Sequence, residues 1–306
     1  MLTTNQQPTS APTHDLAVCY RIYPRVSGRP IFGFKDKLAL VSLNLKCFQE
    51  AIGNLKVIIW FILDNCPPTY HELIRTTFPH TDLEFILLNG EGNEATFARQ
   101  IEVLTHQSAA ELLYFAEDDY LYLPKAIEQA VAFMRRHAEV DFVTLYDHAD
   151  NHSKYIHQIN GPEFAEENRR WHTVASTCLT FMVSKQALLE TAAVFRTYSR
   201  RNSDLGLWLA LTKIRAVNPW SFIRSLGDGL FFAASHLLAW RHAWRHLLWG
   251  RRIRLWVPTP SLATHMELSG LAPGVDWEKR FHSQTTAQAS LSLKCNHRGS
   301  QEMPHI

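Results

Sequence analysis

The chain has 306 residues, 46% of them hydrophobic, which is enough to bury a large core in one domain or in one domain with an appendage. Its 31 basic and 29 acidic residues leave a net charge of only +2, so the chain lacks the strong overall positive charge that is typical of nucleic-acid-binding proteins. Five scattered cysteines without Cys-x-x-Cys spacing argue against a disulfide framework and a zinc ribbon, and this fits the reducing cytoplasm.

Both ends of the chain are predicted to be flexible tails. Residues 1–14 are polar, rich in Thr, Gln and Pro, and without the apolar centre of a signal peptide. Residues 283–306 are expected to form the second tail. No segment reaches the ~18 uninterrupted apolar residues that a membrane span needs, so none is expected.

Strand-like and helix-like patterns alternate along the chain. Short apolar runs predict strands at residues 17–22, 55–63, 83–88, 112–116 and 142–146, with two more at 178–183 and 253–257. Between them, apolar residues recur every three or four positions, as helices require; the first series is Leu38, Val41, Leu45, Phe48 and Ile52. Repeated units of this kind predict an α/β fold with a doubly wound, mostly parallel sheet.

We expect residues 15–218 and 255–282 to form this main domain and residues 219–254 to form a basic amphipathic helical appendage. In the appendage, apolar residues repeat at helical spacing: Leu226, Leu230, Ala233, Leu237, Trp240, Trp244 and Leu248. Arginines accompany them at positions 241, 245, 251, 252 and 254. This composition is typical of a helix that lies in a membrane interface. A surface helix that packs its apolar stripe on the sheet has the same pattern.

Three consecutive carboxylates, Glu117, Asp118 and Asp119, follow the predicted strand at residues 112–116. Ligands of open α/β sheets bind just beyond the carboxyl ends of such strands. Adjacent anions repel one another unless a cation or hydrogen-bond donors compensate them, and Mg²⁺ and Mn²⁺ prefer carboxylate and phosphate oxygens. The motif therefore indicates a site for a metal and a diphosphate. An acidic turn that caps the helix opening at Pro124 would look the same.

In the order of its motifs, the chain resembles the family 2 glycosyltransferases with the GT-A fold, over most of residues 16–215. The shared features are the first strand, Asp64 after the second strand, the loop Asn89-Gly90-Glu91-Gly92-Asn93, the acids Glu117-Asp118-Asp119, and the helix at Pro124. Several family members have Asp-x-Asp where this chain has Glu117-x-Asp119. The resemblance implies an inverting, metal-dependent transfer of a sugar from a nucleotide-sugar donor to an acceptor hydroxyl. Cell-surface polysaccharide or glycolipid synthesis is the expected setting.

The resemblance also implies a donor site. Asp64 would bind the nucleotide base or ribose, with the backbone near Tyr20–Tyr23 beside it, and Glu117 or Asp118 would orient the sugar. In a purely structural role, Asp64 would instead cap the turn before Pro67.

A metal site follows from the same resemblance. Asp119 would ligate Mn²⁺ or Mg²⁺, with help from Glu117 and from His265, because some enzymes of this fold place a metal-binding histidine after their last strand. With 16 histidines in the chain, a structural role for His265 is the alternative.

Sugar transfer needs a base that takes the proton of the acceptor hydroxyl. The resemblance places this base near the start of a helix in the second half of the chain, where Asp204 is the only carboxylate of residues 202–208. Ser203 or Asp204 would equally serve as an N-cap. Residues 175–180 resemble the acceptor-side strand. Residues 147–152 match no zinc-site spacing and are predicted to be a polar loop at the rim of the site.

Two other classes of function stay open. A nucleotidyltransferase would use a similar sheet, but it usually carries a glycine-rich loop with a lysine after the first strand, where residues 22–30 hold only Gly28 and two arginines. A non-catalytic nucleotide- or carbohydrate-binding protein would need no base at Asp204. The expected partners are a nucleotide sugar, a carbohydrate or lipid-linked acceptor and an anionic membrane surface, without nucleic acid. The expected location is the cytoplasm or the inner face of the membrane.

Overall fold

The computed structural model describes residues 11–25, 31–166 and 169–285. The strands are β1 (Leu16–Ile22), β2 (Val57–Asp64), β3 (Asp82–Leu88), β4 (Leu112–Glu117), β5 (Tyr120–Tyr122), β6 (Phe142–Val143), β7 (Glu163–Glu166), β8 (Arg169–Val174), β9 (Phe181–Ser184), β10 (Leu255–Thr259) and β11 (Ala263–His265). The α-helices are α1 (Lys37–Ile52), α2 (Pro68–Thr77), α3 (Gly92–His106), α4 (Ala126–Arg136), α5 (Asp150–Ser153), α6 (Lys185–Phe195), α7 (Asp204–Thr212), α8 (Pro219–Asp228) and α9 (Leu230–Trp249). Residues 277–285 are also helical.

One large sheet organises the described part of the chain, with the strand order β3-β2-β1-β4-β9-β6-β10-β8-β7. β1 pairs in parallel with β2 and β4, β2 with β3, and β6 with β10. β9 and β8 run antiparallel to their neighbours, and the remaining seven strands of this sheet all run in one direction. This confirms the predicted α/β class with a mostly parallel sheet. β5 and β11 form a separate antiparallel pair.

The sheet is buried on both faces, which is why its central strands are continuous apolar runs. Leu16, Val18 and Tyr20 of β1 pack in one cluster with α1, α2 and α4. Their neighbours Ala17 and Cys19 pack in a second cluster with α3, α6, α7 and α9, because successive side chains of a strand point to opposite faces. Helices on both faces make the fold doubly wound.

The predicted strands are all present, with bounds shifted by a few residues. The run at 142–146 is the most shortened, because only Phe142 and Val143 pair as β6. The β7–β8 hairpin and the β5–β11 pair were not predicted from the sequence.

Residues 13 and 14 belong to the packed domain, in contrast to the predicted tail at residues 1–14. The backbone N–H groups of Thr13 and His14 both donate to the carbonyl of Ala109, at 2.9 and 3.0 Å. The His14 ring contacts the Asp82 carboxylate at 2.8 Å. At the other end, residues 283–285 continue a helix. Residues 1–10 and 286–306 of the two predicted tails lie outside the described residues.

The predicted appendage consists of two helices, α8 and α9, which are joined at Gly229; its φ of 131° favours glycine. α9 packs along α7 with its small residues: Ala239 and Ala243 are buried, and the Ser203 hydroxyl donates to that of Ser235 at 3.0 Å. The large side chains of the predicted stripe are exposed, at Leu226, Leu230, Leu237, Trp240, Trp244 and Leu248. The alternative in which this stripe packs on the sheet is therefore wrong. No helix among the described residues is long and apolar enough to cross a membrane.

The strand order places a crevice at the carboxyl ends of β1 and β4. The chain first adds β2 and β3 on one side of β1 and then crosses to add β4 on the other side. Such a switch point leaves a gap between the connections on the two faces, and ligands of open α/β sheets bind there.

Candidate functional site

A cavity of about 490 Å³, here called the first cavity, lies at this switch point. It is lined by residues that follow β1, β2 and β4 and by the first turns of α1 and α3. They are Arg21, Ile22, Tyr23, Arg25, Lys37, Asp64, Gly92, Asn93, Thr96, Glu117, Asp118 and Asp119. The lining thus combines four carboxylates with three cations, as recognition of a charged, polar ligand requires.

Each of the three consecutive acids has its own cationic partner. Glu117 contacts the guanidinium of Arg21, and Asp118 Oδ2 lies 2.9 Å from Lys37 Nζ. Asp119 Oδ2 lies 3.0 Å from His265 Nε2. The chain itself therefore compensates the repulsion from which the sequence predicted an external cation.

Glu117 is occupied on both of its oxygens. Arg21 donates to Oε1, and the Thr180 hydroxyl donates to Oε2 at 2.8 Å. Arg21 also donates to the Asn93 carbonyl at 3.0 Å, which connects Glu117 to the start of α3. Both oxygens of Glu117 thus already accept a hydrogen bond, which favours a positioning role, and its role as a metal ligand stays a prediction.

Asp118 joins the end of β4 to the turn after β1. Its Oδ2 accepts a hydrogen bond from the Tyr23 backbone N–H at 3.1 Å in addition to its contact with Lys37. Burial raises the pKa of Asp118 to about 6, and the nearby charge of Lys37 opposes this rise. The Lys37–Asp118 pair forms part of the cavity wall.

Asp119 and His265 are brought together by the β5–β11 pair, in which His265 is opposite Tyr120. Burial alone would lower the pKa of His265, but the charge and hydrogen bond of Asp119 outweigh it and raise that pKa to about 9. Burial would likewise raise the pKa of Asp119, whereas His265 holds it below its ordinary value. The two groups therefore form a charged pair, and they lie next to each other as the two predicted metal ligands would.

A divalent cation fits this pair better than it fits the three acids together. Asp119 Oδ1 is buried and accepts no hydrogen bond from any described residue. The described part of the chain contains no group of three or more His, Cys, Asp and Glu side chains that could hold a metal. Mg²⁺ typically binds one or two carboxylates and completes its coordination with substrate phosphates and water. Asp119 matches such a substrate-dependent site, and His265 would join it as a ligand only in its neutral form, after the cation displaces the proton that the ring shares with Asp119.

Asp64 holds the loop that begins α3. Its carboxylate accepts hydrogen bonds from the backbone N–H groups of Gly90, Glu91 and Gly92, at 2.7, 2.9 and 2.8 Å. Gly90 and Gly92 have φ values of 86° and 85°, which glycine adopts without strain. Asp64 therefore caps the loop that begins α3, whereas the structural alternative predicted a cap of the turn before Pro67. Asp64 also lines the first cavity.

Replacing Asp64 with alanine is expected to lower the free energy of unfolding by about 1–3 kcal/mol, because three N–H groups lose a charged acceptor. Urea denaturation measures this change. Glu91→Ala is the matched control, since Glu91 is exposed in the same loop. Equal stability of Asp64→Ala and Glu91→Ala would show that the Asp64 bonds do not hold the loop.

Tyr20 does not line the cavity, although the sequence analysis assigns it to the donor site. Its hydroxyl donates to Asn44, and its ring packs at 5.0 Å from Phe48 and 5.2 Å from Phe61. The alternation of side chains along β1 turns Tyr20 into the core and turns the next residue, Arg21, to the opposite face.

A second cavity of about 120 Å³ lies near the first, although their linings share no residue. Its lining is His148, Asp150, Asn151, His157, Ser176, Thr177, Cys178, Asp204, Leu205, Phe231 and Phe232. Burial raises the pKa of its Cys178 thiol, and so do the charges of Asp204 in the same cavity and of Glu117 and Asp119 in the first. The ring of Tyr146 lies near both cavities, with its centroid 6.4 Å from that of His265 and 5.3 Å from that of His148. The predicted polar rim at residues 147–152 and the predicted acceptor-side segment therefore meet here.

Asp204 is not the N-cap of α7. The Ser203 hydroxyl fills that position and accepts a hydrogen bond from the Gly206 N–H at 2.9 Å. The Asp204 carboxylate accepts a hydrogen bond from the Leu205 N–H at 2.7 Å and lines the second cavity. Burial raises the pKa of Asp204. The capping alternative thus belongs to Ser203, and the Asp204 carboxylate borders the second cavity.

Two histidines add hydrogen-bonding groups to the second cavity. His148 Nδ1 accepts a hydrogen bond from the Asp150 N–H at 2.9 Å, which leaves the proton of the neutral ring on Nε2. Burial lowers the pKa of His157 to about 4, and its buried Nδ1 has no hydrogen-bond partner among the described residues. A donor and a further polar atom are therefore available for hydroxyl groups.

Three side chains that contact the acids of the first cavity were not predicted from the sequence: Arg21, Lys37 and Thr180. Arg21 had a local signal, because a charged residue inside the apolar run of β1 needs a buried partner. Lys37 and Thr180 had none, since each reaches its acid only through the tertiary fold.

No protein-family model matches the chain, and no curated protein matches it. Among solved structures, TarS from S. aureus is similar with a TM-score of 0.42 and 10% identity, over 66% of this chain and 40% of TarS. A cytidylyltransferase from Leptospira borgpetersenii has a TM-score of 0.33 and 9% identity, over 58% of this chain and 63% of its own. A197 from STIV has a TM-score of 0.35 and 10% identity, over 84% and 90%. The chain thus spans less than two thirds of the first two. Likenesses this weak carry no argument about function, which rests on the site.

Proposed function

We propose that this protein is a glycosyltransferase that moves a sugar from a nucleoside-diphosphate sugar to an acceptor hydroxyl, with inversion at the anomeric carbon. The observation that carries the proposal is a pair of neighbouring cavities, a larger charged one and a smaller one lined by the carboxylate of Asp204. A charged donor and a hydroxyl acceptor require two such environments side by side.

The first cavity is the proposed donor site. Its volume of about 490 Å³ lies within the usual range of small-molecule sites. Lys37 and Arg25 supply positive charge for the diphosphate, and Asp118 is the proposed contact of the donor sugar. Asp64 keeps its predicted role beside the base or ribose, because it borders the cavity as well as holding the Gly90–Gly92 loop.

Asp119 and His265 are the proposed holders of Mn²⁺ or Mg²⁺. The unpartnered Asp119 Oδ1 supports this assignment, and His265 would bind the cation once its ring has lost the proton shared with Asp119. When bound, the cation would neutralise the charge that develops on the leaving diphosphate. Glu117 would contribute indirectly, by fixing Arg21 and the end of β4.

The second cavity is the proposed acceptor site, and Asp204 is the proposed base. Asp204 takes the proton of the acceptor hydroxyl while that oxygen bonds to the anomeric carbon and the opposite bond to the diphosphate breaks. A raised pKa makes Asp204 a better proton acceptor than an ordinary carboxylate. His148 and His157 are placed to bind neighbouring hydroxyls, and Phe231 and Phe232 supply an apolar wall for a carbohydrate or lipid-linked acceptor.

A donor panel tests the proposal. The purified chain is incubated with individual nucleoside-diphosphate sugars and Mn²⁺, Mg²⁺ or EDTA, and release of the nucleoside diphosphate is measured. We expect metal-stimulated release from one class of donor. A parallel assay with nucleoside triphosphates and sugar phosphates measures pyrophosphate. Pyrophosphate alone would indicate a nucleotidyltransferase, and donor binding without turnover would indicate a non-catalytic binding protein.

A further inference from the structure

The helices α8 and α9 expose large apolar side chains that the fold leaves uncovered. Leu230 is 81% exposed and Trp220 is 71% exposed, and Ile223, Leu237, Trp244 and Leu248 are also exposed. We call these six residues the α8–α9 face. Single exposed apolar residues are ordinary on protein surfaces, but this many large ones on two consecutive helices that contact each other are typical of an interaction site.

The geometry of α9 separates this face from the core. Leu230 and Leu237 are seven residues apart, which is about two helical turns, so they lie on one side of α9. Trp244, which is also exposed, follows a break in the helical backbone at Ala243 (φ −132°, ψ 23°). The opposite side presents small residues, including Ser235 and Ala239, and these are the ones buried beside α7. α9 thus has two apolar sides, and only the one with small residues is packed.

Positive charge accompanies the α8–α9 face. Arg241 and Arg245 lie beside the stripe on α9, are exposed, and form no ion pair with any described residue. Residues 205–266 contain eight Lys and Arg residues but a single carboxylate, Asp228. That carboxylate already accepts hydrogen bonds from the backbone N–H groups of Tyr155 and Ile156, both at 3.2 Å. Arg251, just beyond α9, is paired with Asp141 and Glu190, so the uncompensated charge of the face is that of Arg241 and Arg245.

We propose that the α8–α9 face docks on an anionic lipid bilayer. Exposed leucines and tryptophans beside arginines match both parts of such a surface, since the apolar groups enter the headgroup boundary and the arginines contact lipid phosphates. A second copy of the chain fits less well. A two-fold contact through this face would bring Arg241 and Arg245 of both copies into one interface, to which the face supplies no carboxylate. This docking is independent of the proposed transferase activity.

Flotation with lipid vesicles tests the proposal on the full chain. The two probes are phosphatidylcholine vesicles and phosphatidylcholine vesicles with added phosphatidylglycerol, at low and at 0.5 M salt. We expect co-flotation with the anionic vesicles, and a fall in the partition coefficient of about tenfold or more at high salt, because salt screens the arginines.

Two variants separate the charged and apolar contributions. Arg241→Glu with Arg245→Glu is expected to weaken partitioning about 30-fold or more, and Leu230→Ser with Leu237→Ser about tenfold or more. Lys56→Glu with Lys279→Glu is the matched control, because it changes the net charge equally at exposed residues outside both helices. Circular dichroism and thermal unfolding are used to check that all three variants fold.

The outcomes are distinct. Salt-sensitive flotation that both α9 variants lose and the lysine control keeps would support the proposal. Absence of flotation with either vesicle at low salt would overturn it, and so would an equal loss in the control. A concentration-dependent dimer in light scattering that Leu230→Ser with Leu237→Ser dissolves would assign the face to a second copy instead and would also overturn it.

Discussion

Replacing Asp119 with asparagine is expected to lower kcat/KM for sugar transfer by about 10²–10³-fold. The substitution preserves shape but removes the charge that holds His265, 3.0 Å away, and that would bind Mn²⁺ or Mg²⁺. Steady-state kinetics with the donor found in the panel measure the loss. Calorimetric titration with a nucleoside diphosphate, with Mn²⁺ and with EDTA, measures whether the metal still strengthens binding.

Asp82→Asn is the matched control for this prediction. Asp82 also pairs with a histidine, His14, at 2.8 Å, but it lies at the start of β3 and does not line either cavity. We expect it to leave transfer unchanged. If Asp119→Asn retained the same Mn²⁺-dependent gain in nucleotide affinity as the native chain, Asp119 would not be a metal ligand.

The fold class could be predicted because burial on both faces leaves a strong local pattern. β1, β2 and β4 are runs of apolar residues with few interruptions, and the helices between them repeat every three or four positions. The β7–β8 hairpin was missed because it carries Glu163, Glu166 and Arg169 and alternates in exposure. Its second strand, β8, pairs with β10, which lies far along the chain, and β7 pairs only with β8.

The position of the candidate site could also be predicted, but its internal contacts could not. Parallel strands end at one edge, so Asp64 and the acids after β4 had to lie near each other. The partner of each acid was not visible in the sequence. Lys37 lies 81 residues before Asp118 in the sequence, although their side chains are in contact. The Asp64 carboxylate accepts hydrogen bonds from three backbone N–H groups in the loop that begins α3.

The pattern of α8 and α9 shows a further limit of periodicity. Leu230, Leu237 and Trp244 repeat as a core stripe would, yet they are exposed. Alanine and serine take the packed side of α9, where they let α9 approach α7 closely. Hydrophobic spacing identifies the helix and its faces, but the neighbour that covers each face depends on the tertiary structure.

Replacing Asp204 with asparagine is expected to lower kcat by about 10²–10⁴-fold while the affinity for the donor changes little. The amide retains an acceptor for the Leu205 N–H, and Ser203 still caps α7, so the helix should form normally. The amide cannot take the proton of the acceptor hydroxyl. In the native chain, kcat should fall as the pH is lowered through the raised pKa of Asp204, because only the deprotonated carboxylate acts as a base. This acid limb should disappear in the variant.

Asp150→Asn is the matched control, because Asp150 is the other carboxylate that lines the second cavity. We expect it to lower kcat by less than about tenfold. The reverse result, with activity kept by Asp204→Asn and lost by Asp150→Asn, would move the base to Asp150. Thermal unfolding separates chemistry from structure, since a structural role of Asp204 would lower the melting temperature and donor affinity together with kcat. Loss of kcat and of the acid limb, with donor binding and melting temperature unchanged, requires that Asp204 itself accepts the proton.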